Sequence, residues 1–148
     1  MTASRKINQQ LPFGERSEIA VLGTLSCQNE AWELAKGLTE DDFLIDSHKR
    51  IFACIRSRLS IGRPIDLILM MDAMKRQKEL DAIGGAAYLA FLAEGIPRNF
   101  DITSHVVLLK EKAELRRILR VCNDAMVQAY CEEPSTDILA ALRQWLGL

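Results

Sequence analysis

A few side chains in this sequence have the chemistry to act as ligands, acids, bases or nucleophiles: two histidines, several closely spaced carboxylates and four cysteines. His48 stands near Asp42 and Asp46. A metal site or an acid–base pair would need a second ligand or a nucleophile at a defined offset, and the sequence offers neither. An imidazole hydrogen-bonded at a helix start is the better reading. His105 falls in the first turn of a long predicted helix, where a neutral ring is easily tolerated. Asp41-Asp42 could suggest a cation site, but the helix macrodipole alone favours carboxylates in a first turn. Cys27, Cys54, Cys122 and Cys131 make no CxxC or Cys/His cluster. Zinc is therefore not expected, and buried, reduced thiols are. Gly84-Gly85 lacks the preceding strand and the Gly-Lys-Ser/Thr of a phosphate-binding loop, and GxSxG, HExxH and EF-hand patterns are absent from the sequence. No catalytic residue, cofactor-binding residue or metal ligand is expected.

Charge offers a second kind of chemistry. Lys110, Lys112, Arg116, Arg117 and Arg120 gather on the first half of the long predicted helix, with Glu111 and Glu114 between them. Glu114 precedes Arg117 by three residues, within pairing reach. A solvated helix face is the first reading. Contact of Lys112, Arg116, Arg117 and Arg120 with an acidic protein surface is the second, and contact with DNA phosphate the third. The net charge of −1 argues against nucleic acid, as does the lack of aromatics among these bases.

The elements that must position these groups are helices. A chain of 148 residues with 49% hydrophobic and 26% charged side chains fits one globular domain that needs no disulfide or metal. Met1 to Gln10 reads as a disordered leader without an apolar signal segment. The longest apolar run, Ile65 to Met71, is interrupted by Asp66 and far short of the roughly 20 residues that span a bilayer. A soluble, cytoplasmic protein without membrane contact is expected. Ile19, Leu22 and Leu25 predict a helix over 15–26, with Gly23 inside it to allow close packing. Asn29 is expected to cap a short helix, Thr39 and Asp42 to form a capping box, and Ser47 to cap a helix reaching Ser60. Asp66 should cap a helix over 67–78. Gly84-Gly85 should break the chain before a helix over 86–94. Asp101 or Thr103 should open the longest helix, 104–131, and Pro134 should end it. A last helix follows from Ser135, Thr136 or Asp137. No strand pattern emerges. The expected fold is all-α, with a compact globule of short helices over 11–97 and a long-helix/short-helix hairpin over 98–148.

The long helix carries an apolar stripe of Leu108, Leu115, Leu119, Cys122, Met126 and Ala129, widened by Ile118, Val121 and Ala125. Its length would be about 42 Å. One return helix offering Ile138, Leu139, Leu142, Trp145 and Leu146 cannot cover such a face. Leu108, Leu115, Ile118, Leu119, Cys122, Met126, Leu142 and Trp145 are thus expected to meet a second subunit, in an antiparallel pairing of two hairpins. Packing against the chain's own globule is the alternative.

Taken in order, the segments Leu11-Pro12, Glu18 to Gly23, Asn29 to Trp32, Asp42-Phe43, His48 to Phe52 and Pro64 to Leu67 resemble the N-terminal domain of DnaB-type replicative DNA helicases. Gly84-Gly85 with Tyr88-Leu89, Ile96-Pro97 and Glu111 to Arg117 continue the resemblance, which covers about Leu11 to Leu142. The chain departs from the family at Leu44-Ile45-Asp46, where an aromatic and a proline are common, and in the Met-rich stretch Leu69 to Met71. The resemblance implies a collar domain that supports assembly of a hexameric ring and docks a DnaG-type primase, with a helicase loader as a further candidate partner. It places ATP and magnesium only in a separate C-terminal motor domain, so this chain alone would not be an enzyme. Met1 and the final residues suggest an N-terminal fragment of a helicase. A free-standing oligomeric adaptor and a direct DNA-binding module are the alternatives.

Overall fold

The computed structural model describes residues 10–147; apart from Gln10, the expected leader lies outside them. Among the described residues there are seven α-helices and no strand: α1 Glu15–Cys27, α2 Trp32–Ala35, α3 Asp46–Leu59, α4 Leu67–Arg76, α5 Gly85–Ala93, α6 Thr103–Tyr130 and α7 Ser135–Leu146. Single 3₁₀ turns at Asn29–Ala31 and Glu40–Asp42 join the first three helices. Pro12–Ala113 forms one compact unit, and the chain from Glu114 onward belongs to another. The first turns of α6 therefore belong to the compact unit, which extends past the Pro97 boundary expected from the sequence.

The core lies wholly in the compact unit. Val21, Leu22 and Leu25 of α1, Ile51, Phe52 and Ile55 of α3, and Leu89 and Leu92 of α5 are fully or almost fully buried. Phe43 joins them, its ring 4.8 Å from that of Phe52. Gly23 lets α1 approach α5 backbone to backbone: a β-carbon there would overlap the Leu92 carbonyl oxygen and sit 3.1 Å from Ile96 Cδ1. Alanine would gain about 1 kcal/mol of helix propensity. Overpacking against backbone costs about 3 kcal/mol, because no rotamer change relieves it. Gly23→Ala should thus destabilise the unit by about 2 kcal/mol net, read as a thermal-midpoint drop of roughly 8–16 °C.

Local signals set most helix ends. Thr39 and Asp42 form the expected capping box, with the Thr39 N–H donating to Asp42 Oδ2 at 2.7 Å. Asp66 caps α4 by accepting from the Leu69 N–H at 2.8 Å. Asp66→Ala should cost about 1 kcal/mol, measured by urea unfolding. Gly84 and Gly85 both take left-handed backbone, with φ of 100° and 75°, and turn the chain into α5. The Asp101 carboxylate takes the N–H and hydroxyl of Thr103 at 2.9 and 2.6 Å, opening α6. These two bonds hold the Asp101 carboxyl below its usual range.

Three expectations are corrected. Asn29 does not cap a helix. Its side chain donates to the Leu25 and Ile65 carbonyls and accepts the Ile65 N–H, tying the end of α1 to the strap before α4. Ser47 does not cap α3 either. Ile45 takes the cap position, two residues earlier, and Asp46 in the first turn pairs with Arg50 one turn on at 2.7 Å. Of the four thiols only Cys54 is buried, whereas Cys27, Cys122 and Cys131 are exposed. A cysteine within an apolar helical pattern is hidden only if another element covers that face.

Candidate protein-interaction surface

His48 is the sequence's best candidate for chemistry, and the structure gives it a packing role. Its ring and the Glu18 side chain are both fully buried, with Nδ1 and Glu18 Oε2 2.5 Å apart. A carboxylate only accepts, so Nδ1 carries a proton. Glu18 Oε1 accepts the Leu44 N–H at 2.7 Å, and His48 Nε2 shares a hydrogen bond of 2.6 Å with the Tyr88 hydroxyl. Burial pushes the Tyr88 phenol up, with the Glu15 and Glu18 carboxylates adding to the shift. The network joins α1, α3 and α5 and leaves no polar atom of the pair facing a substrate. Glu18 went unseen in the sequence because its partner lies 30 residues away. An acidic residue amid the apolar positions of α1 was the available signal.

The remaining groups behave similarly. Ser17 Oγ and His105 Nδ1 share a hydrogen bond of 2.9 Å, and the His105 ring stacks on Phe100 at 5.7 Å, seating the start of α6 against α1. Asp42, suggested as a cation ligand, takes the Lys110 ammonium at 2.9 Å as well as its capping contact. Among the described residues no group of three His, Cys, Asp or Glu side chains could hold a metal ion. An open cleft of about 330 Å³ lined by Asn29, Trp32, Glu33 and Arg63 brings no nucleophile or acid–base pair together. No described helix is long and apolar enough to cross a membrane.

The unit beginning at Glu114 is built differently. No apolar side chain in it is buried among the described residues; Arg116, 8% exposed, is the one buried residue there. Val121 and Ala125 of α6 and Ile138, Leu142 and Trp145 of α7 are half-buried. The Arg117 guanidinium lies over the Trp145 ring at 5.2 Å, worth about 0.5–1 kcal/mol at such a site. The rest of the stripe is open: Leu115, Ile118, Leu119 and Met126 are 36–57% exposed, and Cys122 is exposed. Of the eight expected interface residues, Leu115, Ile118, Leu119, Cys122 and Met126 share one exposed face of α6, and Leu142 and Trp145 are partly covered. Leu108 belongs to the compact unit, beside Gly14. The expected stripe left out Val127 and Tyr130, both more than half exposed, and Leu139 and Leu146 of the return helix are at least half exposed as well. Tyr130 and Val127 flank the stripe at i+4 and i+8 from Met126 and Leu119, and a wider stripe would have included them.

The basic cluster does not act as one patch. Lys110 is paired with Asp42, and Arg117 is divided between Trp145 and a loose 3.7 Å contact with Glu114. Arg116 was expected to face a partner. It is buried and engaged, so its charge is not on display. Lys112 is half-buried and Arg120 exposed.

Known proteins resemble this chain in sequence and fold. Residues 10–111 match the family model for the DnaB-like helicase N-terminal domain. The replicative DNA helicase DnaB of Buchnera aphidicola subsp. Baizongia pistaciae is 32% identical over 122 residues, which are 82% of this chain and 26% of that protein. The replicative DNA helicase DnaC of Bacillus subtilis is 30% identical over 135 residues, 90% of this chain and 30% of that protein. The chain thus spans less than a third of the length of these relatives. The crystal structure of the N-terminal domain of DnaB helicase from Mycobacterium tuberculosis has the same fold, with a TM-score of 0.85 at 23% identity over 94% of this chain and 100% of that one. A DnaB-like replicative helicase, described with its interactions with primase, matches with a TM-score of 0.72 at 21% identity over 88% of this chain and 31% of that chain.

Proposed function

We propose that this chain, which belongs to the family of DnaB-like helicase N-terminal domains, acts as the assembly and primase-docking domain of a replicative DNA helicase. In such a protein it would form the collar of a hexameric ring. ATP-driven unwinding, with ATP and magnesium, would reside in a separate motor domain. The compact unit holds its own core and needs no partner to fold. The hairpin unit lacks one, and this carries the reading: its stripe from Leu115 to Met126 lies open with no buried apolar residue beneath it. Apolar faces of this kind mark protein contact, and a second hairpin offering the same face covers both at once. A DnaG-type primase, and a helicase loader in addition, would dock on the assembled domains.

Direct DNA contact loses support, since Lys110 is paired and Arg116 buried. Light scattering over a concentration series tests the assembly. The reading expects a mass at or above twice the 16.7 kDa of one chain, with a DnaG-type primase binding to the assembled form. A monomer at every concentration would contradict it.

A further inference from the structure

The open cleft of about 330 Å³ lies in the compact unit and carries charge of both signs without a partner. One wall is the 3₁₀ turn Asn29–Ala31 with the start of α2. The other is the end of α3 with the turn through Gly62, Arg63 and Pro64. Glu30 stands on the first wall and Arg63 on the second, both exposed. Neither makes an ion pair or a side-chain hydrogen bond among the described residues, with the other or with any other group. The second carboxylate lining the cleft, Glu33, is taken by Lys36 at 2.8 Å. Half-buried Trp32 and buried Leu59 supply an apolar surface. The Trp32 indole N–H makes no hydrogen bond among the described residues, and an indole only donates.

The walls are braced before anything binds. Asn29 Nδ2 donates to the Ile65 carbonyl at 2.9 Å, and Asn29 Oδ1 accepts the Ile65 N–H at 2.8 Å. Arg58 Nε donates to the Pro64 carbonyl at 3.0 Å, and the Arg63 N–H donates to the Arg58 carbonyl at 3.0 Å. The Trp32 ring sits 6.3 Å from that of Phe52. A site held this way gives up little freedom on binding.

An apolar surface with a free anion on one wall and a free cation on the other fits a ligand with both charges around an apolar group. Small-molecule sites bury about 70–90% of their ligand, whereas this cleft is open and suits a chain passing across it. Nucleic acid fits worse, because Glu30 and Glu33 would both repel phosphate. We propose that the cleft binds an extended segment of a partner protein. An apolar residue of that segment packs on Trp32 and Leu59, flanked by a basic residue at Glu30 and an acidic residue at Arg63. The Arg63 fork takes the carboxylate bidentately, and the Trp32 indole donates to a carbonyl of the segment. This contact belongs to the compact unit and does not depend on the pairing of hairpins.

Nuclear magnetic resonance titration of the isotope-labelled full chain tests it. The probes are acetyl-Gly-Lys-Phe-Asp-Gly-amide and acetyl-Gly-Asp-Phe-Lys-Gly-amide, which cover both chain directions. The Lys-Phe-Lys and Asp-Phe-Asp analogues and a thymidine hexanucleotide are the controls. At least one mixed-charge probe should shift the Trp32 indole and Gly62 amide signals, with a Kd of about 1 mM. Each like-charged analogue should bind about threefold more weakly. Arg63→Gln should weaken the mixed-charge probe about threefold and abolish its advantage over the Lys-Phe-Lys analogue. Glu30→Gln should do the same relative to the Asp-Phe-Asp analogue. Signals that neither mixed-charge probe moves at about 10 mM, like-charged analogues that bind equally well, or variants that bind like the natural chain would overturn the proposal. So would a hexanucleotide that shifts the same signals more strongly, which would make the cleft a nucleic-acid site.

Discussion

Replacing Leu119 and Met126 together by glutamate should make the chain monomeric without lowering the melting temperature of its compact unit. Both side chains lie about half exposed on the α6 stripe, so the substitutions disturb no core. In a paired hairpin they would place four carboxylates in an apolar seam. Burying an unpaired charge costs several kcal/mol, so self-association should weaken at least about a hundredfold. Sedimentation velocity reads the association and circular dichroism the melt. A double variant that associates as tightly as the natural chain would show that this face is not the contact.

His48→Ala should have the opposite profile, harming the fold far from the hairpin. The substitution leaves the Glu18 carboxylate fully buried, with the Leu44 N–H as its remaining described partner, and opens a cavity beside Tyr88. Leaving a buried carboxyl group without its side-chain hydrogen-bond partner costs about 3 kcal/mol, a large fraction of the roughly 5–15 kcal/mol that holds a domain folded. Tyr88→Phe removes one hydrogen bond from a half-exposed ring and should cost only about 1 kcal/mol. Urea unfolding distinguishes the two. If the two losses were similar, the Glu18–His48 contact would not be what holds α1 to α3.

These contrasting effects follow from what could and could not be read along the chain. Capping at Thr39 and Asp66, the breaks at Gly84-Gly85 and Pro134, and the close packing at Gly23 are local signals, and each appears in the structure where its residues stand. The stripe on α6 was equally legible, because helical periodicity alone defines it. Contacts between distant residues were not. Glu18 with His48, Asn29 with Ile65, and Ser17 with His105 span 30 to 88 residues, and in each case the sequence shows one polar side chain without its partner. The burial of Arg116 and the exposure of Cys27, Cys122 and Cys131 were missed for a related reason. Periodicity says which residues share a face, whereas exposure depends on what lies across from it.

The central claim is that the open α6 face is a contact surface while the compact unit is complete by itself. Hydrogen–deuterium exchange at low and high protein concentration tests it most directly. The account predicts that protection of backbone amides from Leu115 to Tyr130 rises with concentration, while protection across Pro12 to Ala113 stays the same. Protection of Leu115 to Tyr130 that is independent of concentration, in a chain that stays monomeric, would contradict it.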